Sequence, residues 1–479
     1  MQNISNRRVC FFDDSLIDTA RTTAEFRVHQ PIRREIALEH TAPREGNGSD
    51  YHNMFFDNGV WRMYYLGWEV FSDPFTICVC YAESTDGIHW VKPNLGIYEW
   101  DGSLDNNILF GPKTLPHLDN FMVFRDDNPA CPPDKKYKGI YQNLEKDRKY
   151  VALEYLVSSD GIHFSKGGVI TEKGAFDSLN TAFWDANAGK YRCYYRSDHH
   201  PGSTEPLTWF TFSEEDVRDI RYIESVDFES WSEPRLLDFG DAPDIPLYTN
   251  LIQPYYRAPH ILIGFPTRYI YRKEWTANYD ELCGKEKRLE RMRMNPRYGL
   301  VTTDCVFACS RDGVHFRRYD EAFLRPGPEN EKNWLYGDCY PARGIVEVPA
   351  KIEGAAPEMA IYTLDYHWIE PTRFVYNTLR LDGFVSLHAD ATEKVIVTKP
   401  FVYTGSKLTV NFSSSAWGYL YFTLTDEEGN AYESTETFGD SVERTVRFLD
   451  EKAVASLSGK RAVLTVRMRD ADLYSIKFD

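Results

Sequence analysis

The sequence has no run of eighteen apolar residues that could cross a membrane as a helix. Its opening stretch, MQNISNRRVCFFDDSLIDTA, places Asp13, Asp14 and Asp18 where a secretory leader would need an apolar segment, so a cytoplasmic protein is expected. There is no Cys-x-x-Cys pair, and the nine cysteines, an odd number, show no metal-type spacing with histidine. A disulfide framework and a structural zinc site are both disfavoured. Cys78 and Cys80 stand two apart in FTICVCYAES, on one face of an expected strand, and read as core residues. Positive charge is also scarce: 55 Lys and Arg face 72 Asp and Glu, for a net charge of -17. Such a chain repels phosphate backbones and anionic lipid, so neither nucleic acid nor a membrane is expected as a partner.

Aromatic residues, by contrast, make up 15% of the chain and hydrophobic residues 42%, which excludes disorder. Carboxylates accept hydroxyl hydrogen bonds and aromatic faces cover C–H faces, so this composition suits a small-molecule carbohydrate. A chain of 479 residues exceeds what one hydrophobic core usually supports, unless it is built from repeats.

A repeat is visible. Ser84-Thr85-Asp86-Gly87-Ile88-His89-Trp90 recurs as Ser158-Ser159-Asp160-Gly161-Ile162-His163-Phe164 and as Ser310-Arg311-Asp312-Gly313-Val314-His315-Phe316. A degenerate copy is Ser225-Val226-Asp227-Phe228-Glu229-Ser230-Trp231. Each follows a strand-like run and supplies an Asp-Gly turn, which predicts a hairpin between two outer strands. The spacing of about 65–85 residues fits a four-stranded propeller blade. Another hairpin lies upstream of each signature, and GIVEVPAKIEGAAPEMAIYTLDY adds a fifth, with Leu381-Asp382-Gly383-Phe384 as a remnant of the turn.

The expected architecture is therefore all-β: a five-bladed β-propeller over residues 1–388 followed by a C-terminal β-sandwich over 389–479. Residues 1–45 would lead into blade 1, with one blade completed by a strand from the other terminus. Asn278 to Met294, inside blade 4, is the main helical candidate, either a solvated surface helix or a lid or homo-oligomer contact.

The innermost strand of each blade lines the channel, so polar groups at the five inner-strand starts converge on one funnel. Those starts carry Asp50, Asp119, Asp177, Asp244 and Asp338. Carboxylates crowded in a low-dielectric funnel push their pKa values apart, leaving one protonated and another ionised. Glycosidic bond cleavage needs that pairing: one group protonates the leaving oxygen while the other activates water or attacks the anomeric carbon. His52, Asn120, Asn180, Tyr248, Asn250, Arg268 and Arg343 are candidate contacts to sugar hydroxyls. Trp68, Trp184, Trp275 and Trp368 are either sugar platforms or inter-blade core. Asp198-His199-His200, followed by Pro201-Gly202, reads as a turn rather than a metal site. No cofactor is required by this chemistry, although the Asp ring could also hold a calcium ion.

The ring of inner-strand Asp residues resembles the five-bladed propeller glycoside hydrolases of families 32, 43 and 68, and the trailing domain is similar to that of family 32. More closely, PREG at 43–46, the DGIHW turn followed by KPNLGIYEWDGSLDNNI, YTNLIQPYYRAPHILIGFPTRY, RLDGFVSL and DADLYSIKF resemble a bacterial glycosidase-like group, across essentially the whole chain. The resemblance implies an Asp on the first strand of blade 1, matched by Asp50, and a second in blade 2 or 3, matched by Asp119 or Asp177. It also implies a Glu acid further round the channel. No Glu is expected on an inner strand here, so that role would fall to Asp338 or to Glu45 from the loop before blade 1. Arg125-Asp126 is similar to the family 32 Arg-Asp-Pro motif, but Asp127 replaces the proline and a capping pair is expected. Three readings stay open: a glycoside hydrolase, a glycoside phosphorylase using Arg343, Arg268 and His52 for phosphate, and a non-catalytic carbohydrate-binding propeller.

Overall fold

The structure, a computed structural model, describes residues 2–71, 76–145, 151–207, 213 and 215–479. Five sheets form the ring. Blade 1 runs outward through Asp50–Asp57, Val60–Glu69, Thr76–Ser84 and Ile108–Phe110. Blade 2 is Leu118–Arg125, Tyr137–Asn143, Ala152–Ser158 and Ser165–Thr171, and blade 3 is Thr181–Asp185, Lys190–His199, Val217–Ser225 and Arg235–Leu236. In blade 4, Gln253–Tyr255 is innermost and Arg317–Leu324 outermost, and Val301–Ser310 pairs with both Ala258–Gly264 and Thr267–Tyr271. Those last two are one strand interrupted at Pro266, which has no N–H for the ladder. Blade 5 is Val346–Val348, Glu358–Asp365 and Arg373–Arg380, and its outer strand, Ile32–Glu39, comes from the N-terminal part of the chain.

The ring is thus closed by a strand from the other end of the propeller sequence, as expected. At the inner edge, the Met54 amide donates to the Arg343 carbonyl (2.8 Å) and the Arg343 amide to the His52 carbonyl (3.0 Å), which joins blade 5 to blade 1. Local chemistry sets the hairpins. Asn58 (φ +52°) and Gly59 (φ +86°) make the two-residue left-handed turn that matches strand twist.

The repeated signature turns sit between the third and fourth strands. In the first copy the Ser84 hydroxyl accepts the Gly87 amide (2.8 Å), and Asp86 accepts the amides of Ile88 and His89 (2.8 Å each). Gly87, Gly161 and Gly313 all have left-handed φ, between +75° and +81°. Each turn is latched by a tyrosine on the second strand of the preceding blade. Tyr64 donates to the Gly161 carbonyl (2.9 Å), Tyr194 to that of Gly313 (2.8 Å) and Tyr362 to that of Gly87. In the degenerate copy Phe228 holds the left-handed position (φ +65°) and buries its ring against Tyr155, Tyr191 and Trp231, at 5.0 Å from each.

The domain boundary differs from the expectation. Val385–Ala389 already leaves the propeller, and Gln2–Ser5, Val9–Cys10 and Glu25–Val28 pair with the C-terminal strands rather than leading straight into blade 1. All belong to one ten-stranded hydrogen-bonded sheet built on the long strands Leu408–Asp426 and Arg461–Phe478. Phe11, Leu16 and Ile17 account for the N-terminal pairing, because their side chains complete the core of this sheet with Phe401, Phe412, Phe422 and Phe478. No helix among the described residues is long and apolar enough to cross a membrane.

Candidate active site

In an up-and-down blade the inner strand starts on the same rim to which the second strand returns. The mouth of the channel is therefore built from inner-strand starts together with the segments joining second and third strands. At the inner-strand starts a left-handed residue recurs at Tyr51, Asn120, Leu251 and Cys339, so Asp50, Asp119, Asn250 and Asp338 occupy equivalent positions. Blade 3 departs: Phe176 is left-handed and Asp177 follows it.

Two of the expected acids come together, with a third behind them. Asp119 and Asp177 both line a cavity of about 70 Å³, smaller than the ~300–1,000 Å³ pockets that engulf a whole ligand, so this floor takes one end of a substrate. Asp119 keeps a little contact with solvent in the funnel and is otherwise surrounded by protein. That burial, reinforced by the charge of Asp177, pushes its carboxyl up to about 8, against the single amide hydrogen bond from Asn120 (2.8 Å). Asp177 is ion-paired with Arg196 (3.1 Å), which also holds Asp198 (3.1 Å). Asp50 lies one layer behind. Its Oδ1 accepts the Tyr51 amide (2.6 Å), while Oδ2 lies 3.3 Å from Nδ1 of His367, outside hydrogen-bond geometry. Burial lowers the pKa of His367, so the ring is neutral, and neither ring nitrogen has a hydrogen-bond partner.

Aromatic rings wall this floor. Trp68, Tyr248, Tyr298, Tyr336 and Trp368 line it, with Tyr298 stacked on Tyr336 at 5.3 Å and Trp68 edge-on to Trp368 at 6.3 Å. Tyr248 meets the Tyr51 hydroxyl at 3.3 Å and stacks on Tyr340 at 5.5 Å. Asn120 donates to Gln142 (2.9 Å) and keeps its Oδ1 without a partner, as do the hydroxyls of Tyr269 and Tyr340 and the Trp368 indole nitrogen. Buried polar atoms are normally hydrogen-bonded, so this concentration of unpaired groups sets the floor and the layer behind it apart from the rest of the channel wall.

The remaining expected residues lie elsewhere. Asp338 turns away from the mouth to accept the Leu335 amide (2.8 Å), and it borders a separate cavity of about 410 Å³. Burial raises its carboxyl to about 7, but it acts as a turn cap. Glu45 is fully buried and bound by Lys92 (2.7 Å), Tyr65 (2.6 Å) and the Ala42 amide (2.8 Å). Burial alone would raise its pKa, yet His40 and Lys92 outweigh it and hold the group below the usual range, so it carries no proton for an acid role. His52 is sandwiched between Tyr65 (5.1 Å) and Phe374 (4.4 Å) and bonded to His40 (2.9 Å), all inside the blade 1 to blade 5 interface. Asn180 ties Phe176 to Arg196, and Asn250 ties blade 4 to Thr181. Arg268 is consumed by Asp304 (2.5 Å), and Arg343 lies toward the far end of the channel.

Trp184 and Trp275 pack on Tyr191 and Tyr279, away from the floor. Arg125 binds Asp127 (2.8 Å) and Asp126 accepts the Asn128 amide (2.9 Å), the expected capping pair. Asp198, His199 and His200 each bind a different partner, Arg196, Asp219 and Asp216, and among the described residues no three His, Cys, Asp or Glu side chains are placed to hold a metal ion.

Arg218, Arg297 and His367 line the floor and were not anticipated. Arg218 begins the third strand of blade 3, Arg297 lies in the blade 4 insertion, and His367 lies between the second and third strands of blade 5. All three come from segments on the same rim as the inner-strand starts, a signal contained in the blade topology. Arg218 stacks over Tyr269 (4.0 Å) and Arg297 over Tyr298 (5.2 Å), and neither has an ion pair among the described residues. The insertion itself forms Ala277–Glu281, Lys285–Met292 and Arg297–Leu300 rather than one solvated helix. Arg288 and Arg291 are buried and donate to the carbonyls of Trp334 (2.7 Å) and Tyr336 (2.9 Å), which clamps the insertion onto the mouth.

No family model and no curated protein matches the chain. Among solved structures it is similar to an N-acetylgalactosamine deacetylase from F. plautii in complex with blood group B trisaccharide, with 11% identity and a TM-score of 0.46, covering 74% of this chain and 95% of that one. It is also similar to a glycosyl hydrolase from Bacteroides ovatus, with 16% identity and a TM-score of 0.38 over 76% and 96% of the two chains. A third is from the GH130 family of mannoside phosphorylases, described as containing glycoside hydrolases that target β-1,2 mannosidic linkages in Candida mannan. It has 14% identity and a TM-score of 0.39 over 77% and 96% of the two chains. Likeness at this level carries no argument about activity.

Proposed function

We propose that the protein is a glycoside hydrolase whose reaction takes place on the floor of the propeller mouth. One observation carries this reading: Asp119, held protonated near neutral pH, stands in the field of Asp177 within an aromatic cup. Asp119 donates its proton to the leaving oxygen as the glycosidic C–O bond breaks. Asp177, whose negative charge is balanced by Arg196, takes the proton of an attacking water or itself attacks the anomeric carbon. Trp68, Trp368 and the tyrosines cover the sugar's C–H faces.

The test is a panel of aryl glycosides graded by leaving-group acidity. Asp119→Asn should abolish turnover of poor leaving groups while sparing good ones, which need no proton. Equal losses for all leaving groups would remove Asp119 from the acid role. A second reading, phosphorolysis, is favoured by Arg218, Arg297 and His367 beside the acids, because two guanidiniums without ion pairs can hold a phosphate in place of water. Turnover with and without inorganic phosphate, with sugar 1-phosphate as the product sought, separates the two.

A further inference from the structure

A second cavity, of about 490 Å³, opens at the opposite end of the inner strands, where blades 1, 4 and 5 meet. Met54, Phe56 and Trp61 line it from blade 1, Gln253 from blade 4, and Arg343 and Ile345 from the approach to blade 5. Met54, Gln253 and Arg343 lie three to five residues along the inner strands from Asp50, Asn250 and Asp338 at the mouth, a separation of roughly 10–16 Å.

The chemistry of this cavity is unbalanced. Arg343 is 7% exposed, its Nε has no hydrogen-bond partner, and it makes no ion pair with any described residue. Its backbone amide and carbonyl close the ring against His52 and Met54, which fixes the point from which the side chain projects. Burial depresses its pKa to about 10, with no carboxylate nearby to oppose the effect. Gln253, 8% exposed, has an unpaired Nε2 in the same wall. The one acid lining the cavity, Glu347, is engaged by the Tyr256 hydroxyl (2.7 Å) and by Arg257 (3.6 Å). A buried guanidinium without a counter-charge is a strongly unfavourable arrangement, and an anion seated on it would relieve that. One guanidinium balances one negative charge, its planar fork matches a carboxylate, and the apolar walls need an apolar body to cover them.

We propose that this cavity binds a small monocarboxylate with an apolar body, its head on Arg343 and Gln253 and its body against Phe56, Trp61 and Ile345. The site is separate from the mouth and does not depend on the hydrolase reading.

The probe is 4-(trifluoromethyl)benzoate, followed by fluorine NMR on the full chain. Saturable binding is expected, with affinity reduced about tenfold or more in Arg343→Met and less in Gln253→Leu. The neutral 4-(trifluoromethyl)benzamide should bind about tenfold more weakly than the benzoate. Arg218→Met, which alters the mouth, should leave benzoate binding unchanged and so locate it at the far end. Thermal melts accompany each variant, and Arg343→Lys, which keeps the charge and loses the fork, stands in if Arg343→Met fails to fold; it should retain weakened binding. Absence of saturable binding, equal affinity in the Arg343 variant and the wild type, or displacement of the probe by inorganic phosphate as readily as by unlabelled benzoate would each overturn the proposal.

Discussion

The rim turns and the inner-strand starts are both repeated around the ring, yet only the rim has stayed symmetric. Three of the four signature turns keep glycine at a left-handed position, the same Ser and Asp hydrogen bonds and the same tyrosine latch from the preceding blade. The inner-strand starts share the left-handed residue, but the residue before it varies: Asp50 and Asp119 each accept the amide of the residue that follows, Asn250 accepts that of Ile252, and Asp338 that of Leu335. The rim solves the same mechanical problem in blade after blade, so the same answer serves each time. The mouth surrounds a single cup lined from all five blades, and each blade contributes different side chains to it.

The largest effect should come from breaking the asymmetric region. Asp119→Asn and Asp177→Asn should each lower kcat on glycosides with poor leaving groups by about 10²–10⁴, the span of a general acid or base, while the melting of Asp119→Asn near pH 6, where the carboxyl it replaces is protonated, stays close to wild type. A matching change in blade 5, Asp338→Asn, alters a turn cap and should leave kcat within about threefold. If Asp338→Asn were as damaging as Asp119→Asn, the reaction would belong to the ring as a whole rather than to one side of it.

The symmetric region should respond in stability instead. A Cβ on Gly313 would stand 2.4 Å from the Arg192 guanidinium nitrogen at φ +81°, whereas one on Gly202, at φ +79°, would meet nothing within 4 Å. Gly313→Ala should therefore cost about 1–3 kcal/mol in urea unfolding, and Gly202→Ala only the backbone strain, about 1 kcal/mol. The difference between the two isolates the inter-blade latch. Equal losses would mean that the turns matter only for their own conformation.

This contrast also explains what the sequence could reveal. The rim turns depend on contacts within four residues, so Ser84-x-Asp86-Gly87 announces itself in the sequence and the blade count follows. The N-terminal strands 2–28 join the far sheet through side chains such as Phe11 and Ile17, whose partners lie almost 400 residues away. No local pattern distinguishes that docking from an approach to blade 1. In the site, Asp50, Asp119 and Asp177 were legible because position along a blade fixes which rim a residue reaches. Asp338 and Glu45 looked equivalent because the sequence does not show that Leu335 caps one and Lys92 neutralises the other. Arg218, Arg297 and His367 lie in or beside segments between second and third strands, whose length and insertion vary most from blade to blade.

A smaller effect separates the two readings of the mouth. Arg218→Met and Arg297→Met should change kcat/KM for hydrolysis in phosphate-free buffer by about threefold or less, since neither guanidinium is needed to deliver water. A loss of about tenfold or more that appears only with phosphate present would assign the pair to a phosphate and favour phosphorolysis.

The smallest effect is on stability, and its sign tests whether Asp119 is protonated in the folded state. An unfolded aspartate ionises near pH 3.9, whereas folded Asp119 ionises at about 8. Between those values the folded chain holds a proton that the unfolded chain has released, so for this group stability is fully present below about pH 4 and is lost as the pH rises through 8. The amide introduced by Asp119→Asn has no such proton to lose. The Tm of Asp119→Asn relative to wild type should therefore increase from pH 4.5 to pH 8.5, by about 2 °C for a chain of this length after allowing for solvent contact in the funnel. The same ionisation should reduce wild-type turnover of poor leaving groups above about pH 8, because the acid is then deprotonated. A Tm difference that stays flat or reverses across this range would show that Asp119 is ionised in the folded protein, and the acid would then have to be sought among the other groups of the floor.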